Sequence, residues 1–361
     1  MVKKELEFLK EINYSPNIKK KYTYIKGDFH KVIFSHEKKT KEIILNIIKN
    51  YPGMKWKIIR LFIYLNFHKF LKWGGLIGTL KLKIDSSLNY PGEIILIDRR
   101  KKVFDLKNKK IYYVLKNGSE INKELILREK YPGINFVPLL KKDRDRKVMI
   151  MRFLDLETFN KITKMPQKIL QNSFDQLIYF YKKNRIKKKK TSKEIKKIWL
   201  RNNNFKSLDK KSRKIITLAY VLLNNDKKLT FIKAHGDFHL AHIGQDKKSR
   251  KIYLLDWENP EEENLLFDFF WMILVDCRVN GRGNIEKLVY KNGLNRTPFR
   301  RIFLKFEKEF KEYLNMEIFL RYFMLTLIRL IEEAYKNKKL KDAKVEFQIL
   351  NKITRFIKQS F

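Results

Sequence analysis

Cysteine is nearly missing from this sequence. Its one copy, Cys277, excludes an internal disulfide and lies in the apolar run FFWMILVDC, where a buried, inert thiol in a reducing compartment is expected. Proline and glycine are sparse as well, at 8 and 13 of 361 residues, and no Pro-rich or Gly/Ser-rich linker and no internal repeat marks a domain boundary. Long apolar runs are absent too. In the aromatic stretch 54–78 the uncharged segment extends only from Leu61 to Phe67, far short of the roughly 20 residues that span a bilayer. The N-terminal MVKKELEFLKEIN is charged throughout and lacks the apolar core of a signal peptide, so a cytoplasmic protein is expected. Acidic residues are scarce: 39 Asp and Glu stand against 82 Lys and Arg, giving a formal charge of +43.

What is present argues against disorder. The hydrophobic fraction is 44%, with 27 Phe, 17 Tyr and 5 Trp, which supplies the apolar area that disordered, highly charged chains lack. The positive charge attracts anionic partners such as nucleotides. The lysines are nevertheless spread along the chain with no nucleic-acid recognition module, so no specific nucleic-acid partner is expected. The densest run, 184-NRIKKKKTS-192, reads as a solvated loop. Lys55, Lys57, Arg60, Lys69 and Lys72 scatter around a helical wheel rather than sharing a face, which leaves peripheral contact with an anionic membrane, at its inner face, as a secondary expectation.

The periodicity divides the chain into strands early and helices late. After Tyr90–Pro91–Gly92, the runs 93–99, 102–107 and 110–116 alternate as strands joined by polar turns, at Asp98 to Lys101 and at Asn108–Lys109. A helix is predicted over 119–131, then two strands over 134–140 and 147–154. From Leu156 the period is helical, with segments predicted at 157–183, 193–200, 208–225, 261–279, 298–314, 316–336 and 340–359. Glu261 to Glu263 are expected to cap the helix that follows them, and Trp257 and the aromatics of FDFFWM are expected in the core. This gives three parts: a basic, aromatic extension over 1–88, a sheet-rich lobe over 89–155 and an α-rich lobe over 156–361.

Chemistry concentrates in 231-FIKAHGDFHLAHIGQDKKSRKIYLLDWENPEEENLLFDFFWM-272. HGDFHLAH places Asp237 two residues after His235, and the apolar run IYLLD ends in Asp256. Two carboxylates at the ends of adjacent strands or loops can converge on one cation and one hydroxyl, as phosphoryl transfer to an alcohol requires. A different reading takes His235, His239 and His242 with Asp237 as the zinc cluster of a metal-dependent hydrolase.

HGDFHLAHI, then LLDWE, then LLFDFFW resembles the aminoglycoside phosphotransferase and choline kinase family, whose pattern is H-G-D-x-x-x-x-N, a strand ending in I-D-W-E or I-D-x-x, and a later D-L/F. The resemblance implies an α+β, bilobal protein-kinase-like fold, with a small antiparallel sheet and one helix in the N-lobe and an α-rich C-lobe. It implies an ATP- or GTP-dependent, Mg²⁺-dependent phosphotransferase acting on a small-molecule hydroxyl. It also assigns Asp237 as catalytic base, Asp256 as metal ligand, His235 as a structural residue of the catalytic loop and Asp268 as the acidic residue that braces it. A strand Lys and a helix Glu for the nucleotide phosphates are expected at Lys116 and Glu124, with Glu120 and Glu129 competing for the second role.

Two departures follow from the same pattern. His242 stands where the family has the Asn of the second metal site, and imidazole suits Mn²⁺ or Zn²⁺ better than Mg²⁺. The Gly-rich phosphate loop is replaced by Asp98-Arg99-Arg100-Lys101, with 74-GGLIG-78 as a weak substitute. A pseudokinase that binds nucleotide or a partner without transferring phosphate is therefore the alternative. Versions of HGDF…DWE with a basic, aromatic N-terminal extension resemble phosphotransferase-family proteins tied to bacterial envelope sugars, which points to a saccharide or lipid-linked saccharide acceptor.

Overall fold

The computed structural model of the chain describes residues 20–26, 31–35, 83–88, 94–97, 101–105, 108–114, 118–143, 148–159, 162–184, 189–190, 194, 210–223, 228–257, 262–280, 299–312, 314–336 and 346–355. The membrane-contact candidate 54–78, all of the predicted segment 193–200 but Glu194, the turn residues Asp98 to Arg100 and the site candidate Lys116 lie outside the described residues. The protein is α+β, and its chain divides into two compact units. One comprises 1–132, 136–156 and 246–248; the other comprises 133–135, 157–245 and 249–361.

The first unit is built on an antiparallel sheet. Its strands are β1 (Lys20–Lys26), β2 (Lys31–Ser35), β3 (Lys83–Leu88), β4 (Ile94–Ile97), β5 (Lys101–Asp105), β6 (Lys110–Val114), β7 (Leu139–Asp143) and β8 (Val148–Arg152), in the order β3-β1-β2-β4-β5-β6-β8-β7. The β4–β5–β6 meander matches the predicted runs, and three of the eight strands come from the stretch before residue 89. The β5–β6 turn is fixed locally: Asn108 donates its backbone N–H and its side-chain amide to the buried Asp105 carboxylate, at 2.9 and 2.8 Å. Lys109 then takes a left-handed φ of 53°. Helix α1 (Gly118–Lys130) buries Leu125 against Met149 and Met151 of β8, with Tyr113, Val137 and Leu139 packed around them. The strand predicted over 134–140 begins only at Leu139, because Pro138 has no N–H to give a ladder; its carbonyl accepts from Arg152 N instead.

The second unit is mostly helical. The helix predicted over 157–183 is broken into a short strand β9 (Leu156–Thr158), a single 3₁₀ turn at Ile162–Lys164 and helix α2 (Gln167–Lys183). The break has a local cause. Pro166, at φ −56° and ψ 134°, stands just before α2 as its N-cap residue, and a proline biases the residue before it away from helix. The remaining elements in chain order are β10 (Lys189–Lys190), α3 (Lys210–Leu222), β11 (Leu229–Lys233), β12 (Ile243–Asp246), β13 (Ile252–Leu254), β14 (Glu262–Asn264), α4 (Phe267–Asn280), α5 (Arg300–Phe310), α6 (Met316–Lys336) and α7 over 346–355. Lys189 and Lys190, read as part of a loop, pair with β11, which lies between β10 and β14. Glu262 and Glu263 likewise do not cap α4: they belong to β14, opposite Lys233 and Ile232, and Glu263 accepts from Arg329 at 2.8 Å.

Phenylalanine fills this unit's core. Phe174 of α2 meets Phe238, Phe269 and Phe306, with ring centroids 5.4 to 6.3 Å apart. Phe269 also packs edge-on to Phe299 and Phe303 and against Phe319, while Phe270 stacks on Phe323 at 4.6 Å. Close tilted ring pairs of this kind add about 0.5–1.5 kcal/mol each to simple burial. The β12–β13 hairpin is tied to α2 by polar contacts, since the Ile252 carbonyl accepts from the side-chain amides of both Gln176 and Asn135. A Cβ at Gly133 would fall 2.7 Å from the Tyr179 ring, so a larger residue there would push that ring aside. No helix among the described residues is long and apolar enough to cross a membrane.

Phe269→Ala should cost about 3–5 kcal/mol through lost burial and the cavity left among these rings. A urea midpoint lowered in proportion checks it; a midpoint within error of the parent protein would show that the cluster is not the unit's core.

Candidate active site

The site is assembled on the loop between β11 and β12. Ala234 and His235 leave β11 buried, Gly236 turns the chain at φ 87°, and Asp237 emerges with its side chain 55% exposed. That φ is one side chains rarely adopt, so glycine is needed between the buried histidine and the exposed acid. After Phe238 enters the aromatic core, His239 opens the 3₁₀ turn Leu240–His242 that leads into β12. On the far side of the hairpin, Leu255 N donates to the His242 carbonyl at 2.8 Å. The chain then bends at Asp256, whose φ of 62° is left-handed, a region Asp tolerates better than most residues.

Asp268, in the first turn of α4, holds this loop. It is 1% exposed and accepts three hydrogen bonds: from His235 N at 2.7 Å, from Gly236 N at 2.9 Å and from the Tyr181 hydroxyl at 2.5 Å. Burial pushes its carboxyl up to about 6, although all three donors favour the ionised form and pull the other way. The same burial and the same carboxylate raise the Tyr181 hydroxyl well above its ordinary range.

His235 performs no exposed chemistry. Its Nδ1 accepts weakly from Asp237 N at 3.4 Å, and its Nε2 lies 3.0 Å from the Leu255 carbonyl, which requires the proton on Nε2. Trp257 packs against the ring at 4.5 Å, as the core residue it was expected to be, and donates its indole N–H to the Leu254 carbonyl. Burial, followed by the neighbouring His242, drives the His235 ring down to about 3, so it stays neutral in the folded protein. The ring therefore clips the HGD loop to the segment that ends in Asp256.

The exposed side holds four polar side chains. Asp237 Oδ1 accepts from Trp271 Nε1 at 2.9 Å and lies 3.7 Å from His239 Nε2. His242 Nδ1 is 2.7 Å from the Asp237 carbonyl, and its Nε2 is 3.5 Å from Asp256 Oδ2. The rings of His239 and His242 lie 3.9 Å apart. Loss of hydration on its protein-facing side raises the Asp237 carboxyl, with the charges of Asp256 and Glu333 adding to the rise, while His242 and the Trp271 hydrogen bond oppose it.

Of the residues singled out in the sequence, His235, Asp237, His242, Asp256 and Asp268 come together here. Both ring nitrogens of His235 are engaged by backbone groups, so it does not join the four-residue zinc cluster of the alternative reading; Asp237, His239 and His242 do approach one another. Glu124 falls in α1 and Cys277 in α4, with both side chains outside what is described. Two contributors were not anticipated. Trp271 was assigned to the core, yet it is half-buried and binds Asp237; its place one helical turn after Asp268 was the available signal. Tyr181 comes from a distant helix and gave no local sign.

A buried ring with a lowered pKa gives a signed expectation. The unfolded chain binds a proton at His235 near pH 6.5 and the folded chain does not, so this contribution to stability is present above pH 6.5 and is lost as pH falls towards 3. The destabilisation caused by His235→Gln should therefore shrink by about 1 kcal/mol between pH 7.5 and 5.5. Urea titrations at the two pH values measure this, and a cost independent of pH would mean that the ring accepts a proton in the fold.

No protein-family model matches the chain, and no curated protein matches it. Solved structures similar to it include a choline kinase, LicA from Streptococcus pneumoniae, at 13% identity over 72% of this chain and 90% of that one, with a TM-score of 0.45. The GDP and kanamycin complex of the aminoglycoside phosphotransferase APH(2")-IIIa is similar at 13% identity over 73% and 91%, TM-score 0.44. A thermostable mutant of the aminoglycoside phosphotransferase APH(4)-Ia is similar at 11% over 73% and 89%, TM-score 0.43. These are proteins of the family that the HGDF…LLDWE pattern resembles. At such identities and scores, the assignment of a function rests on the site's own residues.

Proposed function

We propose that this protein transfers the terminal phosphoryl group of ATP or GTP to a hydroxyl group of a small molecule, with Asp237 as the base. One observation supports the reading most: Asp237 stands exposed on a braced loop, and His242, bonded to its backbone carbonyl, stands with Nε2 3.5 Å from the Asp256 carboxylate. In the proposed reaction the acceptor oxygen attacks the γ-phosphorus. The bond from that phosphorus to the β–γ bridging oxygen breaks, the nucleoside diphosphate leaves with the electron pair, and the acceptor's proton passes to Asp237. Trp271 engages Oδ1 of that carboxylate, which leaves Oδ2 to receive the proton. Asp268 acts indirectly by fixing the two backbone N–H groups that precede Asp237.

Phosphoryl transfer depends chiefly on positioning and on neutralising the phosphate charge, which a divalent cation supplies when bound. The Asp256 carboxylate offers Mg²⁺ the oxygen it prefers. The imidazole of His242 does not fit Mg²⁺, and Mn²⁺ suits this pair of donors better. Lys116 and Glu124 are proposed to hold the nucleotide phosphates, and the strongly positive chain favours the approach of such an anion. The acceptor class we favour is a saccharide or lipid-linked saccharide, on the resemblance of the motif together with the basic N-terminal stretch.

The histidine at 242 also supports a second reading, a pseudokinase that binds nucleotide without turnover. Nucleotide consumption should be measured with sugar, choline and aminoglycoside panels, in Mg²⁺ and in Mn²⁺. Turnover with at least one acceptor is expected, and Asp237→Asn should lower it by about 10²–10⁴-fold while nucleotide affinity holds. Nucleotide binding without turnover under every condition would favour the pseudokinase, and a folded protein that neither binds nor consumes nucleotide would overturn both readings. His242→Asn should raise the ratio of Mg²⁺-supported to Mn²⁺-supported turnover, and an unchanged ratio would remove residue 242 from the metal.

A further inference from the structure

We infer that Asp237, His239 and His242 form a site for a borderline transition-metal ion of the Zn²⁺ class in the nucleotide-free protein. The ligand atoms of these three residues lie within 4.8 Å of one another. Two imidazoles and one carboxylate are a donor set that Zn²⁺ takes in open, three-ligand sites, and one that a magnesium ion does not select. A tetrahedral zinc ion with bonds of about 2.0–2.1 Å holds its ligands roughly 3.3–3.4 Å apart. The 3.7 Å separation of His239 Nε2 and Asp237 Oδ1 therefore needs to close by only a few tenths of an ångström.

The surroundings prepare the ligands. His242 Nδ1 donates to the Asp237 carbonyl at 2.7 Å, which keeps the proton on that nitrogen and leaves the lone pair of Nε2 for a metal. A metal-bound histidine usually gives its other N–H to a carbonyl or carboxylate in this way, and that partner fixes the ring's orientation. Asp256 Oδ2 lies 3.5 Å from the same Nε2, close enough to supply a further oxygen or to hold a bound water. Asp237 is itself tethered by the Trp271 indole, and the buried Asp268 fixes the loop behind it. His242 and Asp237 are thus oriented before any ion arrives, whereas His239 Nδ1 accepts from Ala241 N at 3.3 Å, and that contact must be given up for its Nε2 to take the ion.

The consequence for activity rests on the phosphotransferase reading. An ion held at this site occupies the carboxylate that would serve as base, so Zn²⁺ is an inhibitor of that reaction rather than its cofactor. The binding itself stands apart from that reading and is measured without nucleotide.

Co²⁺ titrated into the full-length, nucleotide-free protein should give the intense visible absorption of a tetrahedral site at one ion per chain, and Zn²⁺ should abolish it. His239→Gln and His242→Asn should each weaken Zn²⁺ binding at least about tenfold, with circular dichroism confirming that both variants fold. On the unaltered protein, X-ray absorption of the zinc-loaded form should resolve two imidazoles around the ion. Zn²⁺ affinity that neither variant changes, or a shell made of oxygen donors alone, would overturn the site. Nucleotide turnover enters none of these readouts, so a failure of the phosphotransferase reading leaves them intact.

Discussion

The site depends on one buried carboxylate. Asp268 takes the backbone N–H groups of two successive residues, His235 and Gly236, and so dictates the path of the chain at the point where a buried strand becomes an exposed loop. Burying that charge is expensive unless its hydrogen bonds are satisfied, and the Tyr181 hydroxyl supplies a third. Left to itself, the loop would have two N–H donors facing an apolar core. With Asp268 present, both donors are satisfied, and the chain reaches the surface at Asp237.

The aromatic core is what allows this. Phe174, Phe238 and Phe269 surround the loop's inner side and exclude water from it, and Phe238 belongs to the loop itself. The residues alternate in purpose along 235–242: His235 and Phe238 face inward, Asp237 faces outward, and the half-buried His239 and His242 lie beside it. Structural and chemical roles are thus interleaved within eight positions. Substitutions in the inward set should register as stability changes and those in the outward set as changes in chemistry, and this separation makes the site open to dissection.

Much of the site could be read from the sequence, because its chemistry lies in three short stretches whose spacing carries the information. The pattern HGDF, LLDWE, LLFDF brought out Asp237, Asp256, His235 and Asp268, and the structure brings all four together. Trp271 was hidden because an indole in the run FDFFWM has the composition of a core residue, and only its phase relative to Asp268 separates it. Tyr181 was out of reach, since a contact between residues far apart in sequence leaves no local trace. Among the elements, β14 was misread because consecutive glutamates suit a helix start as well as an edge of a small sheet. The break at Pro166 was legible and overridden by the apolar period on both sides of it. The β-branched and aromatic residues of 20–26, Tyr-Thr-Tyr-Ile, carried a strand signal that the surrounding lysines obscured.

The central claim is that Asp237 and Asp256 serve one phosphoryl-transfer event. The most direct measurement is a crystal structure with a non-hydrolysable ATP analogue and Mn²⁺, the ion located by its anomalous scattering. The account predicts the ion on the Asp256 carboxylate, bridging to the phosphates, with the Asp237 carboxylate facing the terminal phosphorus from the acceptor side. A nucleotide bound with its phosphates and ion away from both carboxylates would contradict it.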